Sequence, residues 1–78
     1  MSQETDIIAH FQTLSKRGML TPWEVLERVM PDDPITSVRR SMTNLTEDRL
    51  LRKTGYFRPG PKGAWCRCWA LTAKGRRA

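Results

Sequence analysis

Residues 35–55 read ITSVRRSMTNLTEDRLLRKTG, residues 56–65 read YFRPGPKGAW, and residues 66–72 read CRCWALT. In the first stretch Val38, Met42 and Leu45 recur at i, i+4 and i+7, the spacing of one helical face. Arg39, Arg40, Thr43, Asn44 and Glu47 are left on the outside of that helix. Thr36 or Ser37 is placed to cap its start, and it should close near Arg49. Leu50 to Thr54 then predicts a short strand and Trp65 to Leu71 a second. Gly55, Pro59, Gly60, Pro61 and Gly63 lie between them, too many breakers for a regular element. The two strands therefore form a hairpin around a stiffened loop.

Working back toward the N-terminus, Pro31-Asp32-Asp33-Pro34 is a rigid connector that no helix can cross. Before it, Thr21-Pro22-Trp23-Glu24 combines a capping hydroxyl, a proline suited to the first helical position and a carboxylate three residues after the cap. That predicts a helix over Trp23 to Met30, with Val25, Leu26 and Val29 inward, ended by Pro31. From Thr5, a plausible cap, to about Ser15, the apolar residues Ile7, Ile8, Phe11 and Leu14 share one face against Asp6, Gln12 and Thr13. Gly18 follows Lys16-Arg17 as a stop signal. Met19-Leu20 is placed to add a very short third strand. Helix, helix, helix, strand, strand is the order, within a single domain over 1–78 whose flexible ends are 1–4 and 75–78.

Charge divides the chain. Residues 35–78 hold eleven Lys and Arg against Glu47 and Asp48, a net +9, whereas residues 1–34 hold Lys16, Arg17 and Arg28 against six carboxylates, a net −3. One half is built to face a polyanion. A chain of 78 residues has room for one thin core, to which three tryptophans bring large apolar area. No apolar run approaches the roughly 20 residues that span a bilayer, and the polar start MSQETD is unlike a leader peptide. The expectation is a cytoplasmic protein, nucleoid-associated when bound, with no membrane partner.

SVRRSMTNLTEDRLLRKTG, with ALTAKGR after the second strand, resembles the winged helix-turn-helix DNA-binding domains of small bacterial and phage transcriptional regulators. The resemblance covers roughly Thr5 to Thr72. It implies an α+β fold, mainly α, of three helices plus a two- or three-stranded β-hairpin wing. Two departures stand out. Arg49 occupies the helix-ending position where such proteins usually have Gly, which puts a side chain at a left-handed cap, and the turn between the second and third helices is long.

In the docking mode of that family, the helix over about 36–49 enters the major groove of double-stranded DNA and the wing, 55–64, lies on the backbone or in the minor groove. Ser37, Arg39, Arg40, Thr43 and Asn44 would then meet bases or flanking phosphates. Arg suits guanine and Asn suits adenine. Arg40 and Asn44 share a face at i, i+4 and are favoured for the groove, with Arg39 and Thr43 as the phosphate clamp. On the wing and its flanks, Arg52, Lys53, Arg58, Lys62 and Arg67 extend the basic patch. An Arg pair taken alone would be a solvated helical face; the basic hairpin immediately downstream tips the reading toward nucleic acid.

Trp23, Trp65 and Trp69 are expected to pack in the core, although exposed tryptophans would serve as stacking platforms for single strands. Trp65, Arg67 and Trp69 lie on one side of their strand and Cys66, Cys68 and Ala70 on the other, and one side must be exposed. If it is the tryptophan side, the apolar patch could serve dimerisation. Cys66-x-Cys68 has the wrong spacing for a zinc knuckle and is too close for a long-loop disulfide, so buried thiols are expected, with no metal and no cofactor. No catalytic set is recognisable, and an enzyme is not expected. The function expected is sequence-specific binding of duplex DNA by a transcriptional regulator without a small-molecule ligand. A homodimer and a protein partner stay open. The alternatives are a winged-helix protein–protein adaptor and a non-specific, architectural binder, excisionase-like or single-strand binding.

Overall fold

In the computed structural model, which describes residues 3–14 and 18–78, the elements run α1 (Gln3–Gln12), α2 (Pro22–Val29), α3 (Ile35–Glu47), β1 (Leu51–Pro59), β2 (Trp65–Leu71) and α4 (Ala73–Arg77). Ile7, Ile8 and Phe11 of α1, Val25 of α2, and Val38, Met42 and Leu45 of α3 meet in one core, joined by Leu20, Met30 and Leu51. Leu14, Leu26 and Val29 pack against its edge. Among the described residues no helix is long and apolar enough to cross a membrane.

The start of α2 follows its local chemistry. The Glu24 amide donates to Thr21 Oγ1 at 3.2 Å, and the Thr21 amide donates to Glu24 Oε1 at 2.9 Å. This reciprocal cap behind Pro22 contributes on the order of 1 kcal/mol. The other helix starts differ from expectation. Helix α1 begins at Gln3, so Thr5 lies within its first turn. It ends at Gln12, where Thr13 Oγ1 donates to the His10 carbonyl; the expected end at Ser15 and the Lys16-Arg17 stop lie outside the described residues. Helix α3 begins at Ile35 with Pro34 at the cap and no side-chain cap bond, so neither Thr36 nor Ser37 caps it. The proline supplies the extended backbone that leads into the first turn.

Helix α3 closes with two backbone bonds, Leu50 N–H to the Leu45 carbonyl (2.9 Å) and Arg49 N–H to the Thr46 carbonyl (3.0 Å). That pair defines a left-handed helix stop, and Arg49 takes φ = 65°. The residue flagged by sequence as an unusual occupant of this position does adopt the backbone that glycine favours.

Strands β1 and β2 pair antiparallel, with Leu51 opposite Leu71 and Pro59 opposite Trp65. Strand β1 is longer than expected, because it passes through Gly55 by way of a bulge between Lys53 and Phe57. The polar groups there are satisfied: Thr54 Oγ1 donates to the Cys68 carbonyl (2.8 Å) and accepts from the Tyr56 amide (3.1 Å), and Arg67 Nη1 donates to the Thr54 carbonyl (2.7 Å). The loop is thereby cut to residues 60–64, closed by Gly60 N–H to the Ala64 carbonyl and by Gly63 at φ = 80°. The expected third strand is a single bridge, in which Leu20 and Trp69 exchange both backbone bonds.

Residues 75–78, expected as a loose end, belong mostly to α4. Thr72 caps that helix through the Gly75 amide, and Gln12 Nε2 donates to the Gly75 and Ala78 carbonyls. At the other end Gln3 Nε2 donates to Asp33, and Ser41 Oγ donates to Gln3 Oε1. Gln3 at one end of the described residues and Ala78 at the other are thus tied to the body of the domain.

Candidate nucleic-acid interface

With Val38, Met42 and Leu45 buried, the opposite face of α3 is exposed along Thr36, Arg39, Arg40 and Thr43. Neighbours on a helix are 100° apart, so Arg40 stands near the middle of this face and Arg39 toward one flank. Two contacts define the flanks. Trp69 Nε1 of β2 donates to Thr46 Oγ1 at 3.0 Å, which marks the hairpin side. Arg39 lies seven residues, two turns, before Thr46 and so shares that side. Asn44 Nδ2 reaches Glu4 Oε2 at 3.5 Å, which marks the α1 side. Ser37 is half-buried.

The basic residues of the hairpin differ in their engagement. Arg52, Lys53, Lys62 and Arg67 are exposed, Arg67 while also donating to the Thr54 carbonyl. Arg58 is not a free wing cation. Its Nη1 donates to Glu24 Oε1 (2.9 Å), Glu24 Oε2 (3.0 Å) and the Met19 carbonyl (3.1 Å). Glu24 thus caps α2 and holds the hairpin with one carboxylate, and Arg58 is a brace. The sequence pointed to its charge but could not show a partner 34 residues away. Lys74 Nζ donates to the Asp48 carbonyl, adding a cation at the C-terminal end of α3.

The strand faces resolve in one direction. Cys68 and Ala70 are buried, whereas Trp65 is 70% exposed, so packing of Trp65 in the core is corrected. Trp69 is partly buried against the core and Trp23 is half-buried beside the wing turn. Tyr56 and Phe57 are also exposed, at 66% and 47%. The sequence left open which side Trp65 would take; the exposure of Tyr56 and Phe57 went unread, although the two are adjacent in a strand, where at least one of two neighbours must point away from the core. Burial pushes the Cys68 thiol above its usual range, against a smaller opposing effect of Arg58; Glu24 and Cys66 add to the rise. His10 Nε2 is buried with no hydrogen-bond partner, and among the described residues no three His, Cys, Asp or Glu side chains converge to hold a metal ion.

Three helices on one core, the third with an exposed polar face and followed at once by a two-stranded hairpin, make this a winged helix-turn-helix fold. A PadR-like transcriptional regulator from Bacillus cereus has a similar crystal structure: the match covers 95% of this chain and 74% of that one, with a TM-score of 0.62 and 10% sequence identity. At that identity the likeness is one of fold. No protein-family model matches the sequence, and no curated protein matches it.

Proposed function

We propose that the chain is a sequence-specific duplex-DNA-binding protein that acts as a transcriptional regulator in the cytoplasm, with α3 in the major groove and the hairpin on the backbone or in the minor groove. What supports this reading is the exposure of Arg39, Arg40 and Thr43 on α3 and of Lys53 and Arg67 on the hairpin, with Trp69 of the hairpin bonded to Thr46 of α3, on a fold shared with a regulator. Arg40, near the centre of the α3 face, is the candidate base reader, since its fork matches guanine O6 and N7. Arg39 and Thr43, on the hairpin flank, take phosphates together with Arg52 and Lys62. Asn44 joins Arg40 only by giving up Glu4, and Ser37 contributes at the rim. Arg58 acts indirectly by holding the wing against α2.

Duplex binding followed by fluorescence anisotropy tests this, with a random pool compared with sites selected from it across a salt series. The expected result is a salt slope corresponding to about three to five neutralised phosphates and a selected site bound at least ~1000-fold better than random. Arg40→Ala should relax the base preference. Equal loss on all sequences would remove Arg40 as a reader, and no duplex binding at moderate salt would sink the reading as a whole.

A further inference from the structure

The outward side of the hairpin presents Trp65, Arg67 and Trp69 along β2, with Pro59, Phe57 and Lys53 opposite them on β1. Rings and cations alternate, and two pairs lie within cation–π range. The Arg67 guanidinium lies 4.9 Å from the centre of the Phe57 ring, and Lys53 Nζ lies 5.8 Å from that of Trp69. Trp65 and Tyr56 keep most of their surface in water, so the core does not account for them. We propose that this face binds single-stranded DNA, with unpaired bases stacking on Trp65 and its aromatic neighbours and with Arg67, Lys53 and Lys62 taking the phosphates.

Three arguments select that occupant. Aromatic rings beside cations form the pattern that tracks a strand, since every base has a stacking face and every nucleotide a charge. In a duplex the base faces are already covered by their neighbours, so flat rings find phosphates and groove edges where a stacked partner would stabilise them most. A second copy of the chain fits less well, because a two-fold contact through this face would bring two sets of Lys53 and Arg67 together, and residues 49–78 hold no Asp or Glu to offset them. The Trp69–Thr46 bond makes this surface continuous with the hairpin flank of α3. A strand lying here would run beside a duplex held by that helix. The inference rests on the nucleic-acid reading of the basic half, but not on α3 reading bases.

The test uses the full chain with an oligo-dT of about 12 nucleotides, read by tryptophan fluorescence and by anisotropy of the labelled strand, in parallel with a duplex. Oligo-dT should quench the fluorescence. Trp65→Leu should weaken oligo-dT binding about 5- to 100-fold, the effect of one lost base stack, and change duplex affinity less than about twofold. Trp65→Phe should retain most of the binding, which separates stacking from loss of fold. The double variant Arg39→Ala/Arg40→Ala should do the reverse, losing the duplex and keeping oligo-dT. No oligo-dT binding, oligo-dT binding indifferent to Trp65→Leu, or equal loss of both ligands would overturn the proposal. Binding of oligo-dT through Trp65 by a chain that ignores duplex would uphold it and reject the major-groove function.

Discussion

Arg49 offers a clean measure of how far local backbone geometry limits the stability of this domain. It sits one residue past the cap of α3 with φ = 65°, where a side chain crowds the following carbonyl at a cost of about 1–2 kcal/mol. Arg49→Gly removes that cost, but glycine loses more freedom on folding, which gives back about 0.5–1 kcal/mol. The two helix-stop bonds, at 2.9 and 3.0 Å, are between backbone atoms and survive the change. The side chain itself is exposed. The net gain is about 0.5–1 kcal/mol, which for a domain of this size raises Tm by roughly 2–8 °C. Thermal unfolding by circular dichroism reads this directly, and urea unfolding with an unchanged slope confirms that the folded state is what changed. Arg49→Ala is the control: it deletes the same charge and keeps the left-handed backbone, so its Tm should stay near that of the unsubstituted protein. If glycine gave no gain, or alanine gave as much as glycine, the strain argument would fail and relief of positive charge would explain the effect.

Other expectations follow from the same contacts. Gly75→Ala would drive a Cβ into the Leu50 carbonyl and to 2.9 Å from Leu71 Cδ2; the expected loss is about 1–3 kcal/mol, and a Tm within a degree of the original would show that α4 can shift freely. Arg58→Ala should cost about 1 kcal/mol by releasing the hairpin from Glu24 and Met19 while leaving the salt slope of duplex binding unchanged. Lys62→Ala should behave oppositely, with stability unchanged and the slope lower by about one. Among the thiols, Cys66 should react with a disulfide reagent in the folded protein and Cys68 only after unfolding. Burial raises the Cys68 thiol above its unfolded value, so the folded state keeps that proton longer. Stability should be level through neutral pH and fall as pH rises past the ordinary thiol range toward the folded value; Cys68→Ala should remove that alkaline decline, and an unchanged decline would assign it to another group.

Of the surface proposed to meet DNA, the exposure of its α3 residues was legible in advance. Once Val38, Met42 and Leu45 point inward, Arg39, Arg40 and Thr43 must point out, and they do. Asn44 shows where such reasoning stops: the helical pattern places it outward, but its approach to Glu4 depends on how α1 crosses α3. The wing was legible as a basic hairpin. Its length, the engagement of Arg58 and Arg67 and its exposed aromatics depend on pairings between residues far apart in sequence.

The sequence by itself determined the features set by neighbours three or four residues apart: the reciprocal cap of Thr21 and Glu24, the buried stripe of α3, and the left-handed stop at Arg49. Strand β2 was likewise legible as Trp65–Leu71, from a run of residues suited to a pleated surface. Tertiary structure decided the rest. A strand has two equivalent sides, and only packing against Leu20 and the helices chose Cys68 for the interior and left Trp65 outside. Glycine and proline argued against a long β1, yet Thr54 and Arg67 satisfy the bulge that carries the strand through Gly55. Arg58 became a brace because the fold brings Glu24 within 2.9 Å of it. In each case the deciding partner is distant along the chain, and a contact of that kind leaves no periodic trace in the sequence for local reasoning to find.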